Sequence, residues 1–286
     1  MASTRKRSVG AKAAPMAVIR VGVAFILAAG AIGARSQLRM GYYDEICPAA
    51  ERIVGDYVRQ HVGRVPTVAA ALLRLHYHDC FVRGGPSWRV PTGRRDGTVS
   101  SMQEALAEIP SPTMSFPELA GLFAGKGLAA RDLVWLSGAH TIGIAHCSSF
   151  ADRLYGDAGA GSNGNTNGTD PPPLDAAYAA NLRERKCRTG GGGGGGDAAV
   201  EMDPGSHLTF DLGYYRAVLK HRGLLRSDAA LITDEAARAD IAGLVGSPQE
   251  VFFQVFARSM ARLSMVQVKT GSEGEIRRNC AVVNSH

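Results

Sequence analysis

The chain has 286 residues, of which 45% are hydrophobic and 20% are charged. This length and composition are ordinary for one or two globular domains. The net charge is +6, but the only tight basic cluster is Arg5-Lys6-Arg7, and no basic stripe carries interleaved aromatic residues. The composition therefore argues against nucleic-acid binding.

Residues 1–36 have the pattern of a cleavable secretory signal peptide. The basic cluster precedes an apolar run over 21–34, and small residues flank a candidate cleavage point before Gln37. Because a membrane-spanning helix needs about 20 apolar residues, this run is too short to stay as an anchor. We expect a secreted mature chain over 37–286 that has no membrane contact after cleavage.

The pattern beyond this segment is mostly helical. Ile53, Val54, Tyr57 and Val58 form a one-sided apolar stripe, which is typical of an amphipathic helix. The predicted helices cover, in chain order, 48–62, 67–82, 117–126, 131–137, 178–185, 213–222, 234–244 and 248–264. No run of alternating residues is long enough to indicate a sheet, so the predicted class is all-α.

Two polar segments and the cysteines add further constraints. Segment 156–173 is typical of a surface loop and contains a glycosylation sequon at Asn167, while 190–196 is a run of glycines that predicts a flexible tether. The chain has five cysteines, so in an oxidising compartment at least one thiol is unpaired or joined to another chain. They are Cys47, Cys80, Cys147, Cys187 and Cys280.

Two separated histidines fit the pattern of a peroxide-cleaving haem site. Arg74 and His78 lie one helical turn apart, so on the predicted helix both side chains project from one face. A histidine base beside a fixed cation can take a proton from a peroxide and stabilise the anion that forms. His140, far away in the sequence, could ligate the iron from the other side.

With these motifs in place, the chain resembles the secretory plant peroxidases, the class III haem peroxidases, over residues 37–284. The motifs that carry the resemblance are Gly41-Tyr42-Tyr43, Cys47-Pro48, Arg74-Leu75-His76-Tyr77-His78-Asp79-Cys80, Gly93-Arg94-Arg95-Asp96-Gly97, Leu136-Ser137-Gly138-Ala139-His140-Thr141, Gly223-Leu224-Leu225-Arg226-Ser227-Asp228 and Gly274-Glu275-Ile276-Arg277-Arg278-Asn279-Cys280. The resemblance implies one haem-peroxidase domain over 37–286, with haem b between distal and proximal helical halves.

The resemblance also implies a role for each matching residue. Arg74 and His78 match the distal catalytic pair, and His140 matches the proximal ligand of the haem iron. Asp228 matches the buried carboxylate that accepts the other N–H of the proximal histidine, a contact that makes the imidazole a stronger donor. Pro110 matches the proline whose carbonyl group lines the site for aromatic donors.

Calcium sites and a disulfide follow from the same resemblance. Oxygen donors from carboxylates, hydroxyls and carbonyls suit a hard cation such as Ca²⁺. The residues that match the proximal calcium site are Thr141, Asp203, Ser206, Thr209 and Asp211. Those that match the distal site, of which only a remnant is left, are Asp79, Val82 and Gly84. Cys147 and Cys187 match a disulfide pair.

The chain departs from the family pattern at the 84/85 junction, where on the order of 65 residues of the usual domain are absent. The missing segment carries the family partners of Cys47, Cys80 and Cys280, the remaining distal calcium ligands, and the acid that pairs with the residue matching Arg94. Because the family partners of Cys47 and Cys280 lie close together, we predict that these two cysteines pair here and leave Cys80 free.

Three interpretations follow. The first is a secreted, monomeric haem peroxidase of the cell wall or apoplast, which uses hydrogen peroxide to oxidise small phenolic donors in one-electron steps. The second is an inactive truncated remnant of such an enzyme. The third is a non-enzymatic haem- or calcium-binding protein with two histidines on the iron. Arg74 argues against the third, because electron transfer needs no distal cation.

Overall fold

The structure, a computed structural model, describes residues 38–65, 67–68, 90–156, 171–188, 197–279 and 281–284. These residues are mostly helical, which confirms the all-α prediction. The α-helices are α1 (Tyr43–Ile46), α2 (Ala50–Arg64), α3 (Met102–Glu108), α4 (Phe116–Gly125), α5 (Ala130–Ser137), α6 (Ala151–Tyr155), α7 (Ala176–Asn181), α8 (Gly213–Leu219), α9 (Arg226–Ala230), α10 (Glu235–Val245) and α11 (Gln249–Leu263).

Shorter elements connect these helices. Two 3₁₀ helices follow α5 and precede α6, and a π-helix continues α7. They span Gly138–Thr141, Cys147–Phe150 and Leu182–Lys186. Two strands, β1 (Ile144–His146) and β2 (Ala199–Glu201), form an antiparallel pair. Among the described residues, no helix is long and apolar enough to cross a membrane.

The longer predicted helices agree with the structure within about two residues at each end. The helix predicted over 213–222 is the exception, because α8 ends at Leu219. His221 adopts a left-handed φ of 58°, and the Arg222 N–H turns back to the Ala217 carbonyl at 2.8 Å. The helix predicted over 67–82 lies outside the described residues beyond Val68.

The core lies around α5, which packs against α4, α10 and α11. A stack of buried rings fills the space between α8 and α11, where Phe210 lies parallel to Phe252 with ring centroids 4.9 Å apart. Ser115 and Glu118 form a capping box at the start of α4, with the Ser115 N–H 2.7 Å from the Glu118 carboxylate. The packing of α5 against α4, α10 and α11 holds this helix in place, and the chain enters the candidate site directly after it.

A second, smaller core surrounds the β1–β2 pair. Ala145 and Val200 lie opposite each other and are buried with Leu154 and Leu182. The Cys147–Cys187 disulfide that the resemblance implies closes this region. The all-α prediction missed the pair because each strand has three residues, which is too short for an alternating pattern to be recognised.

The predicted Cys47–Cys280 disulfide is wrong for this structure, since Cys47 is an exposed free thiol. Its N–H closes α1 on the Tyr43 carbonyl at 2.8 Å, and its side chain faces solvent. Cys80 and Cys280 lie outside the described residues.

Candidate active site

A cavity of about 890 Å³ opens next to the end of α5. Most of its wall is apolar, and His140 is one of the few titratable residues that line it. The apolar lining comes from α4, α5 and the turn after α5, and includes Leu119, Phe123, Leu133, Leu136, Ala139 and Ile142. A large apolar pocket with a few polar groups is typical of a cofactor site.

His140 is oriented by a buried carboxylate. It lies in the 3₁₀ turn that continues α5, and its Nδ1 is 2.8 Å from Oδ1 of Asp228. The Asp228 side chain is 1% exposed, whereas that of His140 is 37% exposed. Because a carboxylate only accepts, the ring proton is assigned to Nδ1, which leaves the Nε2 lone pair free to ligate a metal.

The Asp228 carboxylate has two further donors. At the start of α9, its Oδ2 accepts the Leu225 N–H at 2.9 Å, as an acid at this helix position often does. Its Oδ1 also accepts the hydroxyl of Tyr214 at 2.9 Å. The carboxylate is therefore held by three donors from three segments of the chain.

Sequence reasoning did not single out Tyr214. Burial, followed by the charge of Asp228, raises the pKa of Tyr214 well above its usual value, so the phenol stays a hydrogen-bond donor. Its ring meets the His140 ring edge-on, with centroids 5.6 Å apart. The sequence offered one signal for this role, a tyrosine within a predicted helix. A tyrosine that is buried there needs a hydrogen-bond acceptor for its hydroxyl.

A second polar cluster begins at Thr141, the residue after His140, and its members Thr141, Asp203 and Asp211 are not among the residues that line the cavity. The Thr141 hydroxyl is fully buried and lies 3.0 Å from Oδ2 of Asp203 and 3.4 Å from Oδ1 of Asp211. Burial raises the pKa of Asp203, and hydrogen bonds from Ser206 and Thr141 oppose this shift. Ser206 and Thr209 lie in the same turn, where the Thr209 N–H donates to the Ser206 carbonyl at 2.7 Å.

Pro110 lies on the cavity wall, at the start of a short loop before α4. The loop is attached at Pro112, whose carbonyl accepts the Ser227 N–H at 2.9 Å. Since Ser227 directly precedes Asp228, this contact joins the loop that carries Pro110 to the helix that orients His140.

Two histidines that sequence reasoning did not select also line the cavity. His146 has its Nδ1 2.8 Å from the Asp197 carbonyl, and His207 has its Nδ1 3.3 Å from the Glu201 carboxylate. The residues predicted for the distal side and the sequon lie outside the described part of the chain. They are Arg74, His78, Asp79, Val82, Gly84 and Asn167.

Comparisons with known proteins show the family to which the chain belongs. The sequence profile of the family described as Peroxidase matches residues 83–245. Peroxidase 39 of Arabidopsis thaliana is 41% identical over 87% of this chain and 93% of its own length. Peroxidase 3 of the same plant is 41% identical over 93% of this chain and 98% of its own length.

A rice protein extends the comparison beyond one species. Peroxidase 1 of Oryza sativa subsp. japonica is 38% identical over 94% of this chain and 100% of its own length. Its alignment runs over 335 positions, more than the 286 residues of this chain, so the relative has residues with no counterpart here. With a family match over more than half of the chain and relatives aligned along nearly all of it, this chain belongs to the peroxidase family, among its plant class III members.

Proposed function

We propose that this peroxidase is a secreted haem enzyme that reduces hydrogen peroxide and oxidises small phenolic donors in one-electron steps. The observation that carries the proposal is the His140–Asp228 pair beside the apolar cavity. A metal-binding histidine whose second nitrogen donates to a carboxylate is a recurring arrangement, since the carboxylate fixes the tautomer and raises the basicity of the ligand.

The residues of the cavity fit haem b. The apolar walls suit the porphyrin faces, and Nε2 of His140 is the atom that would bind the iron. The iron, when bound, supplies the electrons that cleave the O–O bond of the peroxide. The protein contributes the orientation of His140, the exclusion of water by the apolar walls, and the strength of the histidine as an electron donor.

The distal chemistry rests on the sequence alone. His78 would take the proton from the peroxide and return it to the oxygen that leaves as water, and Arg74 would stabilise the charge that develops on that oxygen. Pro110 lies on the cavity wall, where its carbonyl group could accept a hydrogen bond from a phenolic donor. We propose a monomer that acts in the cell wall or apoplast after removal of residues 1–36, with a glycan at Asn167.

One Ca²⁺ would stabilise the proximal side. The buried Thr141 hydroxyl and the carboxylates of Asp203 and Asp211 already converge, and two acids this close lose their mutual repulsion when a cation lies between them. Ser206 and Thr209 would complete this site. The distal remnant of Asp79, Val82 and Gly84 would hold calcium poorly, because its other ligands belong to the segment that we infer to be absent.

The test of the haem proposal is an absorption titration of the chain with hemin and then with hydrogen peroxide. We expect one haem per chain, and peroxide-dependent oxidation of a phenol such as guaiacol. The His140→Ala variant should lose haem affinity by about 100-fold or more, in line with the loss of a metal ligand. Added imidazole should restore part of this loss, because it can occupy the emptied space.

The matched control is His61→Ala, which removes a histidine on α2 that does not line the cavity. This control should bind haem as the unchanged chain does. The proposal fails if the unchanged chain takes up no stoichiometric haem, or if His140→Ala binds haem equally well. Haem uptake without any peroxide-dependent turnover would contradict the proposal and would fit the inactive remnant or the non-enzymatic haem-binding protein.

A further inference from the structure

Tyr214 shares an acceptor with the proposed iron ligand. Both the Tyr214 hydroxyl and Nδ1 of His140 lie within hydrogen-bond distance of one oxygen, Oδ1 of Asp228, at 2.9 and 2.8 Å. The other oxygen of the same carboxylate accepts the Leu225 backbone N–H. The two side-chain donors therefore compete for the negative charge on Oδ1.

The position of Tyr214 is fixed by packing. It is 1% exposed, lies near the start of α8, and its ring is 5.2 Å from that of Tyr215. The helix α8 also contacts the 3₁₀ turn that carries His140. A donor held this firmly keeps its hydrogen bond to Asp228 without the entropy cost that an exposed side chain pays.

We propose that Tyr214 is a positioning residue, because its hydroxyl shares Oδ1 of Asp228 with His140 and so weakens the hydrogen bond from Nδ1 of His140. The inference rests on the proposed function of His140 as the axial ligand. A carboxylate oxygen that accepts two hydrogen bonds divides its negative charge between the two donors, so neither bond is as strong as it would be alone. With the Tyr214 hydroxyl in place, the carboxylate polarises the His140 ring less than it would if His140 were its only side-chain donor.

Removal of this hydroxyl has a defined consequence. In Tyr214→Phe, Oδ1 of Asp228 loses one of its two side-chain donors, so the hydrogen bond that it accepts from Nδ1 of His140 becomes shorter and stronger. The ring then donates more electron density through Nε2, which stabilises a ferric centre relative to a ferrous one. We expect the ferric/ferrous midpoint potential of the haem-loaded variant to shift to a more negative value.

The adjacent tyrosine is a matched control. Tyr215 is also fully buried, but its hydroxyl donates to the backbone carbonyls of Val134 and Trp135, at 2.9 and 3.2 Å. Tyr215→Phe removes the same group from the same helix without touching Asp228. Its midpoint potential should equal that of the unchanged chain, and an equal shift in both variants would show that Tyr214 acts only through packing.

A second measurement needs no haem. In the apo chain, the Nδ1–H proton of His140 should move downfield in the NMR spectrum of Tyr214→Phe, because its hydrogen bond to Asp228 shortens. An unchanged resonance would overturn the inference even if the haem proposal holds. If the unchanged chain takes up no haem, the proposed function fails, while this experiment still decides whether Tyr214 weakens the His140–Asp228 bond.

Two further variants distinguish the effect of the Tyr214 hydrogen bond from the effect of its packing. Incorporation of 3-fluorotyrosine at position 214 keeps the packing and strengthens the donor, so the midpoint potential should shift in the positive direction. In an Asp228→Asn background, Tyr214→Phe should cause no further shift, because the shared carboxylate is gone. A shift of the same size with and without Asp228 would contradict the proposed route.

Discussion

Gly213 leaves the space that the Asp203 carboxylate occupies. A Cβ atom at this position would lie 2.1 Å from Oδ2 of Asp203 and 2.6 Å from its Cγ, far inside contact distance. The Gly213 N–H also donates to Oδ1 of Asp211 at 2.6 Å. One glycine therefore sets the positions of both carboxylates of the proposed proximal calcium site.

We predict that Gly213→Ala weakens calcium binding by about tenfold or more, which corresponds to about 1.4 kcal/mol, because Asp203 must move away from Asp211. Isothermal titration of the calcium-free chain with Ca²⁺ measures this directly. Gly243→Ala is the control, since a Cβ there meets nothing within 4 Å and lies in α10. The control should bind Ca²⁺ normally and gain about 0.5–1 kcal/mol in stability. Equal calcium affinity in both variants would exclude this role for Gly213.

The residues of the candidate site differ in how far the sequence could predict them. His140 and Asp228 stand in two specific motifs, and the structure brings them to 2.8 Å although 88 positions separate them. Tyr214 stands in no such motif, and its role depends on which acceptor the fold places beside its hydroxyl. A pattern along the chain cannot supply that information, because the contact depends on how α8 and α9 pack.

The helix α5 is attached to α11 through a buried acid. Asp132 accepts the Ser259 hydroxyl and the Arg262 guanidinium, each at 2.7 Å, and its other oxygen accepts the Ala129 N–H at the start of α5. The Asp132 side chain is buried, while that of Arg262 is half-exposed. This network fixes the helix whose end leads directly into His140.

We predict that Asp132→Ala lowers the free energy of unfolding by about 2–3 kcal/mol. This decrease is smaller than that expected for a fully buried ion pair, because the half-exposed Arg262 guanidinium can be hydrated when its partner is removed. Asp240→Ala is the matched control, since Asp240 pairs with the exposed Arg131 at 2.7 Å and also joins α5 to a neighbouring helix. The control should cost less than about 1 kcal/mol in urea-induced unfolding. Similar decreases in the free energy of unfolding in both variants would show that the burial of Asp132 does not contribute to stability.

Long helices could be predicted from the sequence, whereas short helices and strands could not. The apolar period of α11 extends over 15 residues, so its position could be predicted to within one residue. The helices α1, α6 and α9 have four or five residues each, which gives too few turns for a period to appear. Pairing of β1 with β2 joins segments that are distant in the sequence, and local patterns cannot indicate such a contact.

Several large apolar side chains are exposed on α2 and α3, within the described N-terminal part of the chain. On α2, Val58 is buried, but Ile53, Val54 and Tyr57 of the predicted stripe are 56%, 54% and 62% exposed. On α3, Met102 is 77% exposed. Large apolar surface of this kind normally lies under another part of the protein. This exposure agrees with the inference that a segment is missing after the 84/85 junction.

Arg94 gives a second indication that a segment is absent after the 84/85 junction. Its guanidinium donates to the Pro91 carbonyl and to the Ser264 carbonyl, the latter at 2.7 Å. Burial lowers the pKa of Arg94, as expected for a cation that is partly removed from water. The resemblance implies that an acid from the segment that we infer to be absent would pair with Arg94, whereas in this structure two backbone carbonyls accept its guanidinium N–H groups.

The final prediction concerns the segment that we infer to be absent at the 84/85 junction. We expect that inserting the corresponding segment of the Arabidopsis relative Peroxidase 3 at the 84/85 junction raises the free energy of unfolding by about 3 kcal/mol or more. The inserted segment would cover apolar surface on α2 and α3 and supply a partner for Arg94, and each buried methylene group contributes about 0.8 kcal/mol. The measurements are urea-induced unfolding and binding of the dye ANS, which reports exposed apolar surface.

A Gly/Ser insert of equal length is the control. A flexible loop of that length only adds closure entropy, so it should leave the chain slightly less stable and its ANS binding unchanged. The inserted Peroxidase 3 segment should instead reduce ANS binding and tighten haem binding, because it would bring back the distal half of the cavity. If both inserts change the chain equally, the exposed apolar side chains of α2 and α3 do not mark the site of a lost segment, and the shortened chain is a complete fold in its own right.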